Sequence, residues 1–123
     1  MTLTFLLSLM GIACSGQKYS NIDVQRAVDM IDSPDRPLII DVRTPQEYNG
    51  ELGNIPGSRL ISLQVLQDSI AALSDFKAKD IVMVCRSGNR SRTAGQMMVE
   101  AGFEKIYNLE GGMKAWNAYH QIK

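Results

Sequence analysis

The chain has 123 residues, 45% of them hydrophobic and 21% charged, which suits one ordinary globular domain with its own core. Lys plus Arg and Asp plus Glu both count 13, so the formal charge is zero and the basic excess of a nucleic-acid binder is missing. There are 2 cysteines, Cys14 and Cys85, with no Cys-x-x-Cys pair, which excludes a thioredoxin-type dithiol and a cysteine-rich zinc cage.

In chain order, the first segment is apolar. Residues 2–13 carry no charge and end abruptly at the polar run Cys14-Ser15-Gly16-Gln17-Lys18. The run is shorter than the roughly 20 residues of a spanning helix and fits the apolar region of a secretory signal. Gly11-Ile12-Ala13-Cys14-Ser15 resembles a bacterial lipobox. The expectation is a secretory or lipoprotein signal over 1–13, Cys14 as lipidation site, a linker over 14–17 and a folded domain over 18–123. That implies an exported protein, periplasmic or anchored to a membrane by lipid on Cys14.

The rest alternates strand and helix. Lys18 to Ile22 reads as a short strand, followed by a helix capped by Asp23, with Val24, Ala27, Val28 and Ile31 at helical spacing. Ser33-Pro34-Asp35-Arg36-Pro37 breaks it. Leu38 to Val42 is a continuous apolar strand of the kind buried on both faces of a parallel sheet. Thr44 caps and Pro45 opens a short helix, Gly50 to Gly57 is loop, and Arg59 to Ile61 a strand. A helix over Leu63 to Leu73, a strand over Ile81 to Val84, a helix over Arg90 to Ala101 closed by Gly102, a strand over Lys105 to Leu109 and a helix from Gly112 complete the pattern. The predicted fold class is α/β: an open, mostly parallel sheet of about five strands with helices on both faces.

Ligands of such sheets bind beyond the carboxyl ends of the strands. Cys85 stands there, after the clearest apolar strand and before the polar turn Arg86-Ser87-Gly88-Asn89 and a helix start. Turn N–H groups, the helix N-terminus and the charges of Arg86 and Arg90 all favour thiolate over thiol. That makes Cys85 a nucleophile without a histidine base. The single histidine, His120, is expected on the solvated surface. Arg43 and Glu47, four apart, are expected to pair on the short helix, with Asp41 ordering neighbouring loops.

Cys85-Arg86-Ser87-Gly88-Asn89-Arg90-Ser91 resembles the active-site loop of single-domain rhodanese-like proteins. Asp41-Val42-Arg43-Thr44-Pro45-Gln46-Glu47-Tyr48, Asn54-Ile55-Pro56-Gly57-Ser58 and Gly111-Gly112-Met113-Lys114-Ala115-Trp116 resemble the family's other signatures, in the right order over residues 18–121. Asn54 stands where the family usually has His. The resemblance implies a rhodanese-type sulfurtransferase of the thiosulfate class. Cys85 is its catalytic residue and carries sulfur as a persulfide. The loop from Arg86 through Ser87, Gly88, Asn89, Arg90 and Ser91 holds the substrate, and Asp41 and Arg43 support the site. Ser91 is further expected to cap the following helix. No cofactor and no metal are implied. The partners are a small anionic sulfur donor and a thiol or cyanide acceptor, with no nucleic acid, and the chain is expected to be a monomer.

Four other readings compete, one of them an arsenate or peroxide reductase, which would want a resolving cysteine where Cys14 is expected to serve as the anchor. A phosphatase of the same fold needs Cys-x5-Arg, whereas Arg90 gives the shorter Cys-x4-Arg. A non-enzymatic binding module would usually lack the cysteine. A persulfide carrier that hands sulfur to a partner protein would share every residue named here.

Overall fold

A computed structural model describes residues 18–122. The expected signal over 1–13, the expected lipidation site Cys14 and the linker over 14–17 lie outside the described residues. Five strands, β1 (Ser20–Ile22), β2 (Leu38–Asp41), β3 (Arg59–Leu60), β4 (Asp80–Val84) and β5 (Lys105–Leu109), form one sheet in the order β1-β5-β4-β2-β3. Every pairing is parallel. The helices between them are α1 (Val24–Ile31), α2 (Pro45–Tyr48), α3 (Leu63–Ser69), α4 (Asn89–Glu100) and α5 (Gly112–Ile122). A 3-10 segment, Ile70–Phe76, continues α3, so the single helix expected over Leu63 to Leu73 tightens after its second turn.

Strand side chains alternate between faces, and both faces are covered. Ile40, Ile81, Met83 and Ile106 point to one face and pack with Leu66, Leu73, Ala94, Met98 and Phe103 from α3, the 3-10 segment, α4 and the turn after it. Ile39, Val82, Val84 and Leu109 point to the other and pack with Val24, Ala27 and Met30 of α1 and Met113 of α5. This double burial explains the continuous apolar runs of β2 and β4, where a half-exposed strand would alternate with polar residues. Met98 packs in the core, while Met97 and Trp116 lie partly buried against it, as expected of packing residues.

Register sets the position of the site. Asp41 pairs with Val84, so β2 and β4 end side by side and Val42 N–H donates to Val84 O at 2.9 Å. Met83 pairs with Asn108, which places Asn108 on the same face of the sheet as Met83 and Cys85.

Candidate active site

Cys85 follows the last residue of β4 and is 1% exposed. Its sulfur meets three donors or potential donors. Gly88 N–H donates to Sγ at 3.1 Å, Ser91 N–H donates at 3.3 Å, and the Ser91 hydroxyl lies at 3.3 Å. The loop can curl this tightly because Gly88, the N-cap of α4, takes φ +103°, a left-handed conformation that a side chain would resist. The chain thus wraps its own amides around the sulfur, an arrangement that stabilises negative charge there. The cap is Gly88, so Ser91 does not cap α4. It sits in the first turn, where its hydroxyl faces the sulfur and, at 2.5 Å, Asn108 Oδ1.

The loop is tied down from behind. Met113 N–H donates to Cys85 O at 2.8 Å and Lys114 N–H to Arg86 O at 3.1 Å, so the start of α5 is stitched to the nucleophile's own backbone. Gly112 makes that approach possible. A Cβ there would collide with the carbonyl oxygens of Cys85 and Arg86.

The two loop arginines have different partners. Arg90 forms a fork on Glu47, Nη1 to Oε1 and Nη2 to Oε2, both 2.8 Å. Glu47 is also the N3 residue of a capping box with Thr44 at the start of α2. The Arg90 bond, aided by Thr44 and opposed by partial burial, holds the Glu47 carboxyl at about 2 against an ordinary 4.5. Arg90 in turn is raised above its ordinary value by Glu47 first, with the nearby Cys85 and Asp41 charges adding to the effect. Arg86 is exposed, and its guanidinium has no partner among the described residues. It borders a cavity of about 220 Å³ together with Arg43, Gln46, Glu47 and Leu52.

The expected Arg43–Glu47 side-chain pair is overturned. Arg43 instead reaches back to Asp41, with Nε to Oδ1 at 2.9 Å and Nη2 to Oδ2 at 2.8 Å. Its remaining donors go to the carbonyl oxygens of Glu47, at 3.1 Å, and Gly53, at 2.7 Å. Asp41 and Arg43 are both sealed from solvent, and the pair pins the loop after α2 to the end of β2. Burial decides the choice of partner, because a sealed guanidinium needs a charge within its own enclosure, and Glu47 turns outward to Arg90.

Of the other loop residues, Ser87 and Asn89 are exposed, and the Asn89 side chain accepts from Arg92 Nη2 at 2.5 Å. Asn54 donates to Tyr48 O at 3.0 Å, and Gly57 turns at φ +85°. His120 is exposed on α5, its Nδ1 2.7 Å from Trp116 O. Sequence spacing points to neither Arg90 as the partner of Glu47 nor Asn108, inside an apolar strand, as a neighbour of the Ser91 hydroxyl. An asparagine two residues after the buried Ile106, at an inward position of β5, is the signal that could have found it.

A family model for the rhodanese-like domain matches residues 23–119. The thiosulfate sulfurtransferase GlpE of Pseudoalteromonas translucida is 34% identical over 107 residues, covering 85% of this chain and 95% of its own. A crystal structure of a rhodanese-like domain protein from Staphylococcus aureus is 31% identical with a TM-score of 0.67, over 79% of this chain and 90% of its own. A structure from Rhodopseudomonas palustris, described as a protein of unknown function and possible tyrosine phosphatase, is 25% identical with a TM-score of 0.75, over 83% of this chain and 82% of its own.

Proposed function

The chain belongs to the rhodanese-like domain family, and on that premise we propose that it is a sulfurtransferase moving sulfane sulfur from thiosulfate or a persulfide to a thiol or cyanide through Cys85. In the first half-reaction the Cys85 thiolate attacks the outer sulfur of thiosulfate. The new S–S bond forms as the old one breaks, and sulfite leaves with the bonding electron pair. In the second, an acceptor thiolate or cyanide attacks the outer persulfide sulfur and Cys85 departs as thiolate.

The observation that carries this reading is the sulfur ringed by the amides of Gly88 and Ser91, with Arg90 beside it. Fixed donors at the sulfur stabilise charge without reorganising during the reaction. Arg86, exposed and unpaired among the described residues, is the candidate hand for the donor's sulfonate group. Arg43 and Asp41 act at one remove, by holding the neighbouring loop.

The phosphatase reading is weaker. Arg90, the loop arginine that would cradle a phosphate, already spends its fork on Glu47. The name carried by the Rhodopseudomonas protein makes phosphate esters the natural control substrate.

The test is intact-protein mass after incubation with thiosulfate. The expected result is a gain of one sulfur atom that cyanide removes and that Cys85→Ser lacks. No gain with thiosulfate, polysulfide or a thiol persulfide would overturn the assignment. The apolar run ending at Cys14 supports export with a lipid anchor, and the site itself is expected to work as a monomer. Labelling with a fatty acid that disappears in Cys14→Ala tests the anchor.

A further inference from the structure

A polar chain runs from the buried sulfur through Ser91 and Asn108 to Asn21 on the exposed edge strand β1. Ser91 Oγ lies 3.3 Å from Cys85 Sγ and 2.5 Å from Asn108 Oδ1, and Asn108 Nδ2 donates to Asn21 Oδ1 at 2.9 Å. Asn108 is 0% exposed in a strand whose other inward residue, Ile106, is apolar. A buried amide at such a position costs stability unless its bonds are made, and here both ends are occupied.

The number of protons decides what this chain does. A hydroxyl has one hydrogen and two acceptor lone pairs, and a carbonyl oxygen only accepts. With Nδ2 committed to Asn21 on β1, the Asn108 oxygen faces Ser91 and, at 2.5 Å against 3.3 Å for Gly88 O and 3.3 Å for Cys85 Sγ, takes that one hydrogen. We propose that Asn108 is a positioning residue for the chemistry at Cys85: it draws the Ser91 hydroxyl hydrogen away from the sulfur and turns an oxygen lone pair toward it. The inference rests on the reading of Cys85 as the sulfur carrier. In the resting thiol, the S–H donates to Ser91 Oγ. Once the proton leaves, the thiolate keeps the two amides of Gly88 and Ser91, while the hydroxyl remains bound to Asn108.

Charged groups on the elements around the sulfur are Arg86 in the loop, Arg90 on α4 with its partner Glu47 on α2, the Asp41–Arg43 pair at the end of β2, Glu110 after β5 and Lys114 on α5, while Asp80 and Lys105 stand at the opposite ends of β4 and β5, Glu100 at the far end of α4, and Arg92 bonds Asn89. Asn108 is neutral, so replacing it leaves that set of charges as it is. Removing Asn108 leaves the hydroxyl hydrogen between the Gly88 carbonyl oxygen and the sulfur, both at 3.3 Å, and the charged thiolate is the stronger acceptor, so the sulfur gains a third donor.

The test is the pH profile of Cys85 alkylation by iodoacetamide in the full chain, with Cys14→Ala so that Cys85 is the one thiol. Asn108→Leu is expected to move the profile to lower pH and to raise the rate on its rising limb about tenfold, the size of one added hydrogen bond to a charged atom. Asn21→Ala, at an exposed position, unpairs Asn108 Nδ2 and is expected to shift it in the same direction by about threefold. In a Ser91→Ala background, Asn108→Leu is expected to change nothing. Slower alkylation or an unmoved profile in both asparagine variants overturns the proposal, as does a shift that survives Ser91→Ala. Persulfide formation, followed by mass in the unsubstituted chain, tests the carrier reading separately. If it is absent while the profile still shifts, the carrier reading fails and the placement of the Ser91 hydrogen stands.

Discussion

Two ion pairs flank the Cys85 loop, and they differ in almost everything but their charges. Asp41 and Arg43 are 1% exposed at both side chains, and Arg43 spends its other donors on two carbonyl oxygens. Arg90 and Glu47 are 36% and 28% exposed and join two elements 43 residues apart in sequence. The sealed pair acts as a rivet, since removing one member strands a charge in a place water cannot reach. The outer pair is an adjustable contact, because water can replace either partner at small cost. The scaffold under the site is thus held by the pair that cannot be exchanged, and the field at the sulfur is tuned by the pair that can.

Breaking the rivet should have the largest effect. Arg43→Ala leaves the Asp41 carboxylate buried and unpaired, and is expected to lower stability by about 3–5 kcal/mol, read as a fall in denaturant midpoint. Loss of under about 1 kcal/mol would mean that water reaches Asp41 and would erase the distinction. Arg90→Ala should leave the fold largely intact and lower kcat/KM for thiosulfate by about tenfold, through the charge removed beside the sulfur. An undiminished rate would assign the electrostatic role to Arg86 alone. Glu47→Gln is the mildest, at about 1 kcal/mol after allowing for solvent screening. Because the Glu47 carboxyl sits at about 2 in the folded chain against 4.5 when free, its contribution is complete above pH 4.5 and is lost as pH falls through about 2. Stability of the two proteins should therefore converge across that window, and a constant gap would show that packing rather than charge is responsible.

Elements were legible in the sequence to within a residue or two where local rules govern them. The Asp23 cap, the Thr44–Pro45 helix opening and the apolar β2 and β4 all appear where capping and periodicity put them. The position of Cys85 was also legible, because a strand end before a turn and a helix is a local statement. Partners were not. Arg43 chose Asp41 over Glu47 because of enclosure, a property of the folded chain that four-residue spacing cannot express. Glu47 met Arg90, and Asn108 met Ser91, through the alignment of strand ends in the sheet, and that register is set by the whole core.

The stitching of α5 to the backbone of Cys85 and Arg86 has a consequence for timing. A loop held at both carbonyl oxygens by a helix start, at a closeness that Gly112 permits, is expected to need no slow rearrangement when a donor arrives. Each productive encounter can go straight to bond formation. Persulfide should therefore accumulate in a single exponential phase, without a lag, at a rate proportional to donor concentration over a wide range. The protein would work as a trap that is always set.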